Sequence, residues 1–188
     1  GRFVVSYFGN MGTMQDMDTI LGAIRALGKE KDIFFLFAGH GNKLEALKQA
    51  IAQEGLRNAR VLDYLHGKDY RDALEISGAA LISLEAGTTG LCAPSKTYSY
   101  MMEGIPLLAI MDRGDIVADI ESGAGKAFRN GESELLAREI QALRDDPQRV
   151  CAMQEHCRKL YLQKYTPEVC LPKYQALFRE LLGTGGGA

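Results

Sequence analysis

The chain has 188 residues, of which 46% are apolar, and a formal net charge of −2, so it can bury one substantial core. Its 22 basic and 24 acidic residues are interspersed, which excludes the concentrated positive field of a nucleic-acid binder, and no apolar stretch approaches the roughly 20 residues a membrane span needs. Four cysteines, Cys92, Cys151, Cys157 and Cys170, have neither zinc-site spacing nor the density of a disulfide scaffold, which fits a reducing cytoplasm.

In chain order, short runs rich in β-branched and aromatic residues predict strands near 3–8, 33–38, 59–62, 79–84, 106–110 and 125–128. Amphipathic stretches between them predict helices over 15–27, where Ile20, Leu21, Ile24 and Leu27 share a face, and over 43–53, 68–76, 95–103 and 115–121. Such alternation is the pattern of an α/β fold, a doubly wound parallel sheet with helices on both sides. After residue 130 the strands cease, and 134–143, 147–161 and 167–182 read as a helical C-terminal extension. The apolar face of the last helix (Val169, Tyr174, Leu177, Phe178, Leu181) is either left unpaired and exposed or packs on its own domain, and the second is the expectation. The predicted domain is 1–182, and the glycine-rich 183–188 is a flexible tail.

Three loops at strand ends carry candidate chemistry. The first strand runs into Gly9-Asn10-Met11-Gly12, where Gly9 and Gly12 let backbone approach a ligand. The loop lacks the third glycine of a dinucleotide fingerprint, and no acidic residue ends an obvious second strand to hold a ribose, which disfavours a nicotinamide cofactor. The second strand ends in Gly39-His40-Gly41, and His40 is either a ligand contact or part of a tight turn. The third loop precedes a helix in Ala93-Pro94-Ser95-Lys96-Thr97-Tyr98-Ser99. Pro94 suits a helix start, Ser95 and Thr97 offer hydroxyls and amides in the first turn, and Lys96 adds a mobile positive charge, together a cradle for a phosphate. The competing reading makes Ser95 a plain N-cap and Lys96 a solvated surface lysine. Gly104 ends this helix and Pro106 prevents its continuation before Leu107–Ile110. His156 is expected to be solvated. Asp112/Asp115 and Asp145/Asp146 lack His or Cys neighbours at metal-ligand spacing, so no metal is predicted.

The helix-Gly-x-Pro-strand unit, preceded by Tyr7–Gly12, Phe35–Gly41 and Val61–Leu65 and followed by Gly123-Ala124-Gly125, resembles over nearly the whole chain the donor-binding half of GT-B fold glycosyltransferases, with family 4 the nearest match. The resemblance implies a Rossmann-like domain of a retaining hexosyltransferase that uses a nucleotide-diphosphate sugar, UDP rather than GDP, without a metal ion. It also implies a preceding acceptor-binding half that is absent here, so that the chain alone is inactive. Lys96 becomes the catalytic candidate, stabilising the leaving diphosphate. Gly9, Asn10, Gly12, Gly39, His40, Tyr64, Leu65, Glu85, Ser95, Thr97 and Ser99 become the donor-binding set, with the backbone at Tyr64 and Leu65 near the base, beside His66, and Gly123–Gly125 on the donor side.

Two departures from the family pattern stand out. Its Arg and Lys after the first strand correspond to Asn10 and Gln15, which shifts weight to Lys96, with His40 or Arg113 as helpers. Its two glutamates seven residues apart correspond to Leu91 and Ser99, leaving Glu85 as the acid within reach. The Pro-Ser-Lys variant resembles a branch that builds bacterial surface polysaccharides, which implies a saccharide or lipid-linked acceptor and a parent enzyme peripheral to the inner membrane face. The rivals are a sugar-nucleotide epimerase of the same fold and a degenerate, non-catalytic nucleotide-binding domain.

Overall fold

The computed structural model describes residues 1–88, 90–112 and 114–184. The chain alternates β1 (Phe3–Asn10), α1 (Met17–Ala26), β2 (Ile33–His40), α2 (Leu44–Gln53), β3 (Ala59–Leu62), α3 (Gly67–Glu75), β4 (Ser77–Ser83), α4 (Lys96–Glu103), β5 (Leu107–Ile110), α5 (Asp115–Asp119) and β6 (Gly125–Phe128). Helices α6 (Ser133–Asp145), α7 (Pro147–Lys164) and α8 (Pro167–Thr184) follow. The six strands form one sheet in the order β3-β2-β1-β4-β5-β6, with every neighbouring pair parallel, the doubly wound arrangement expected from the alternation.

Successive strand residues point to opposite faces. Tyr7 and Phe37 enter the layer beneath α1 and α6, with Ile20, Ile24, Leu136 and Ile140, whereas Phe8 and Leu36 enter the layer beneath α4 and α7, with Tyr100, Met101, Ile120 and Leu160. Each fully buried Ile or Leu in these layers contributes on the order of 1.5–3 kcal/mol by leaving water. Asp16 caps α1 by accepting from the Thr19 amide at 2.9 Å. Gly104 ends α4 at φ 72°, a left-handed conformation open to glycine, and the Ile105 amide closes back on the Tyr100 carbonyl at 2.9 Å.

Strand register positions the site. Strand β1 pairs with β2 from Phe3↔Ile33 through Asn10↔His40, but with β4 only from Val4↔Ser77 to Ser6↔Ala80. Beyond Ala80, β4 continues beside β5 alone. A crevice therefore opens between the C-terminal ends of β1 and β4, at the point where the chain reverses its direction of winding and where ligands of such sheets bind.

Three expectations are corrected. The helix expected over 115–121 is the short α5 followed by a π-helical turn at Ile120–Ala124. His156 is not fully solvated: its Nε2 lies 2.9 Å from the Ser122 hydroxyl, and its ring lies against Gly123. The apolar face of α8 does not pack fully on its own domain, since Tyr174, Leu177, Phe178 and Leu181 are exposed while Val169 is half-buried. The reason is spatial: α4 and α7 already cover that flank of the sheet, and α7 turns at Tyr165, whose ring meets Tyr98 at 4.8 Å, before α8 departs. No helix among the described residues is long and apolar enough to cross a membrane.

Candidate functional site

Lys96, the first residue of α4, reaches across the crevice to the end of β1. Its Nζ sits 3.7 Å from the centroid of the Tyr7 ring and donates to the Asn10 carbonyl at 3.4 Å. Its Cε lies 3.6 Å from the point where a Cβ on Gly9 would stand. Among the described residues Lys96 forms no ion pair. Burial pulls its ammonium down to about 7, against a smaller opposing contribution from Cys92, because an ammonium removed from water without a counter-charge favours its neutral form. The solvated-lysine reading is thereby replaced by that of a half-buried cation at a strand end.

The crevice wall is fixed by two tyrosines. Tyr7, fully buried, donates its hydroxyl to the Asn10 carbonyl at 3.0 Å. Tyr100, also fully buried, accepts from the Phe8 amide at 2.8 Å and donates to the Phe8 carbonyl at 3.4 Å. Its hydroxyl takes the place of the strand partner that β4 stops providing after Ala80.

The loops after β1 and β2 are locked together. Gly39, at φ 148°, approaches β1 so closely that a Cβ there would lie 1.9 Å from the Gly9 carbonyl oxygen, a contact that only glycine permits. The Met11 amide donates to the His40 carbonyl at 2.6 Å, and the Lys43 amide donates to the Met11 carbonyl at 2.9 Å. Gln15 accepts from the Gly12 amide at 2.9 Å through its side chain, so it supports the loop's backbone. Asn10 leaves its side chain exposed.

Glu85 is within this cluster but already engaged. Its carboxylate pairs with the Lys43 ammonium, which also donates to the Gln15 carbonyl at 2.7 Å, and its amide donates to the Met14 carbonyl at 2.8 Å. Lys43 is a site-side residue that the sequence reading did not single out. Its place just before α2, after a strand end flanked by glycines, was the available signal.

On the other side of Gly9, a cavity of about 100 Å³ is lined by Phe8, Gly9, Ala38, Tyr64, Leu65 and Tyr70. The Tyr70 ring meets Phe8 edge-on, with centroids 5.8 Å apart and planes at 70°. Tyr64 is exposed, with His40 at 5.8 Å and His66 at 4.6 Å between ring centroids. Gly9, Gly39, His40, Tyr64 and Leu65 are thus brought together, joined by Tyr70 from α3, which sequence alone did not mark.

The cradle at the start of α4 needs correction. Ser95 is already helical, at φ −55° and ψ −29°, and its hydroxyl caps nothing, so it is an exposed group and not an N-cap in the hydrogen-bonding sense. Thr97 is fully buried, its amide donates to the Pro94 carbonyl at 3.0 Å, and its hydroxyl has no hydrogen-bond partner among the described residues. Its position on the inward face of α4 removes it from the cradle, leaving Ser95 and Lys96. Ser99 is half-buried on the same helix. Gly123–Gly125 is not on the crevice side: Gly125 pairs with Leu107 where both strands begin, at the opposite end from the tip of β1. Arg113, an expected helper, lies outside the described residues.

A larger cavity of about 700 Å³ lies at the ends of β5 and β6, lined by Met111, Asp112, Phe128, Arg129, Asn130 and Glu132 among others. None of the predicted donor-binding residues lines it. Several of its polar groups are already engaged: Asn130 donates to Asp16 and to the Leu84 carbonyl, Asp112 accepts from the Gly87 amide, and Glu132 accepts from the Arg129 amide. The residues expected from the sequence to bind the donor gather instead around Lys96 and the end of β1.

No family model matches the chain. Over 184 residues, 97% of its length, it is 30% identical to a probable glycosyltransferase, WbjE, of Pseudomonas aeruginosa, and it spans 45% of that relative. Among solved structures it is similar to HepE of Anabaena in complex with UDP and glucose, with a TM-score of 0.73 and 18% identity over 97% of this chain and 48% of that one. It is also similar to the C-terminal domain of LpcC from Francisella tularensis, a glycosyl transferase group 1 family protein, with a TM-score of 0.68 and 17% identity over 89% of this chain and 88% of that one. By fold, the chain is similar to glycosyltransferases of the GT-B fold and to the C-terminal domain of one of them, and it spans less than half the length of the curated relative it matches.

Proposed function

We propose that this chain is the donor-binding half of an enzyme that transfers a sugar from UDP to a saccharide or lipid-linked acceptor. The observation that carries the reading is the Lys96 ammonium, held without a carboxylate at the crevice where β1 and β4 part. Breaking the glycosidic C–O bond loads negative charge onto the diphosphate, and a fixed positive charge beside it lowers that barrier. The distal phosphate is assigned to Lys96 and the exposed hydroxyl of Ser95, the backbone at Gly9 to close approach, and the cavity at Tyr64, Leu65 and Tyr70 to the base. His40, Asn10 and Gly12 border the phosphate path, Gly39 holds it closed from behind, and Ser99 faces the ribose in the place of an acid.

The remainder of the reading concerns the longer protein. Transfer is proposed to retain anomeric configuration, to need no metal ion for donor binding, and to occur at the cytoplasmic side, with the acceptor held by another part of the enzyme. This chain alone is expected to bind donor weakly and to transfer nothing. The test is isothermal titration with UDP, GDP and ADP, on the natural chain and on Lys96→Ala. Selective UDP binding, weakened about 10- to 100-fold in the variant as befits a lost charged hydrogen bond of roughly 1.5–3 kcal/mol, supports the assignment. UDP binding untouched by the variant would remove the phosphate assignment. A second reading, a degenerate domain, draws on Ser99 and on the engagement of Glu85 with Lys43; failure to bind any of the three nucleotides would favour it.

A further inference from the structure

A lysine at the edge of a crevice has four flexible carbons and wanders unless something fixes it. A carboxylate would hold it but would also cancel its charge. Here the ammonium rests on an aromatic face, which attracts a cation through its quadrupole and brings no net charge. We propose that Tyr7 is the positioning residue that aims the Lys96 amine at the crevice without placing a counter-charge beside it, so that a nucleoside diphosphate meets no competing anion there. The inference rests on the donor-site reading and adds to it the residue through which Lys96 is placed.

The ring is suited to this task because it is enclosed by the core and tethered at its hydroxyl. Tyr7 is fully buried, its ring lies 6.1 Å from that of Phe37, and its hydroxyl is tied to the Asn10 carbonyl at 3.0 Å. Lys96 shares the same carbonyl at 3.4 Å, a distance at the weak end of hydrogen bonding, so an arriving phosphate oxygen can take that donor over while the ring contact persists. The carboxylate in the same loop cluster, Glu85, is held by Lys43, which keeps it from quenching Lys96. Gly9 completes the arrangement, since the lysine stem passes 3.6 Å from where its Cβ would be.

The test combines four variants with a measurement on the natural chain. UDP affinity is measured by titration calorimetry for Tyr7→Phe, Tyr7→Leu, Lys96→Ala and the Tyr7→Leu/Lys96→Ala pair, with thermal melting to confirm folding. Tyr7→Phe keeps the ring and is expected to stay within about threefold of the natural affinity, whereas Tyr7→Leu should lose about tenfold. Because Tyr7 acts through Lys96, Tyr7→Leu should cost nothing further once Lys96 is alanine. An equal loss in both backgrounds would overturn the proposal and leave the donor-site reading standing. Absence of UDP binding by the natural chain would instead overturn that reading, and this one with it. Should Tyr7→Leu fail to fold, NMR of the natural chain decides: the Lys96 ε-methylene protons must show the upfield ring-current shift of a group above an aromatic face, and their absence would overturn the proposal.

Discussion

Tyr100 on α4 holds Phe8 on β1 by both backbone groups, its hydroxyl accepting from the amide at 2.8 Å and donating to the carbonyl at 3.4 Å. A side chain thereby substitutes for a missing strand at the crevice. Tyr100→Phe preserves the packing but leaves a buried amide unpaired, which should cost about 1–3 kcal/mol. Urea denaturation of the variant checks this. A cost near zero would mean that water or a shifted strand satisfies Phe8.

Lys96 links ligand binding to protons. Its folded value of about 7 lies well below the value of roughly 10.4 for an unfolded lysine. Between those limits the unfolded chain holds more protons, so the contribution of this group to stability rises with pH from about 7 to about 10, and its cost is fully present below 7. A bound diphosphate restores the charge. Titration with UDP near pH 8.5, in two buffers of different ionisation enthalpy, should therefore reveal net uptake of up to about one proton. Lys96→Ala should abolish that uptake.

Glu85 is predicted to matter little to affinity. Its pairing with Lys43 is part-exposed, and such pairs contribute about 0–1 kcal/mol. Glu85→Gln should change unfolding free energy by less than about 1 kcal/mol and leave UDP binding nearly unchanged. A loss of tenfold or more would instead show that the carboxylate leaves Lys43 to grip the ligand.

The cavity walled by Phe8 and Tyr70 is small, about 100 Å³, and suits a single-ring base. Removing the Tyr70 ring should enlarge it. In competition titrations Tyr70→Ala is expected to weaken UDP while narrowing its advantage over GDP. A parallel loss for both nucleotides would place the base elsewhere.

The sheet was legible because most strands are compact apolar runs set off by glycine and helical spacing, and even β6 at Gly125–Phe128, with Phe128 as its one strand-favouring residue, falls on the residues expected. The place of Lys96 at the start of α4 was legible too, since a lysine at a helix start after a strand needs only local context. Tyr7 and Tyr70 were not, because one looks like an ordinary core residue of a strand and the other like one face of a short helix. Their nearness to Lys96 and to the small cavity arises only when α4 and α3 are folded against the tip of β1. Thr97 misled for the converse reason: its type suits a phosphate, but one step along the helix turns it inward.

The parting of β1 and β4 after Ser6↔Ala80 also divides the chain's tolerance to change. Below that level a substitution must satisfy two neighbouring strands and a layer of helices, and errors there are paid in folding. Above it, side chains such as Asn10 and Ser95 face open space, so their chemistry can be exchanged while the sheet stays intact. The boundary marks where changes aimed at the proposed donor site should begin.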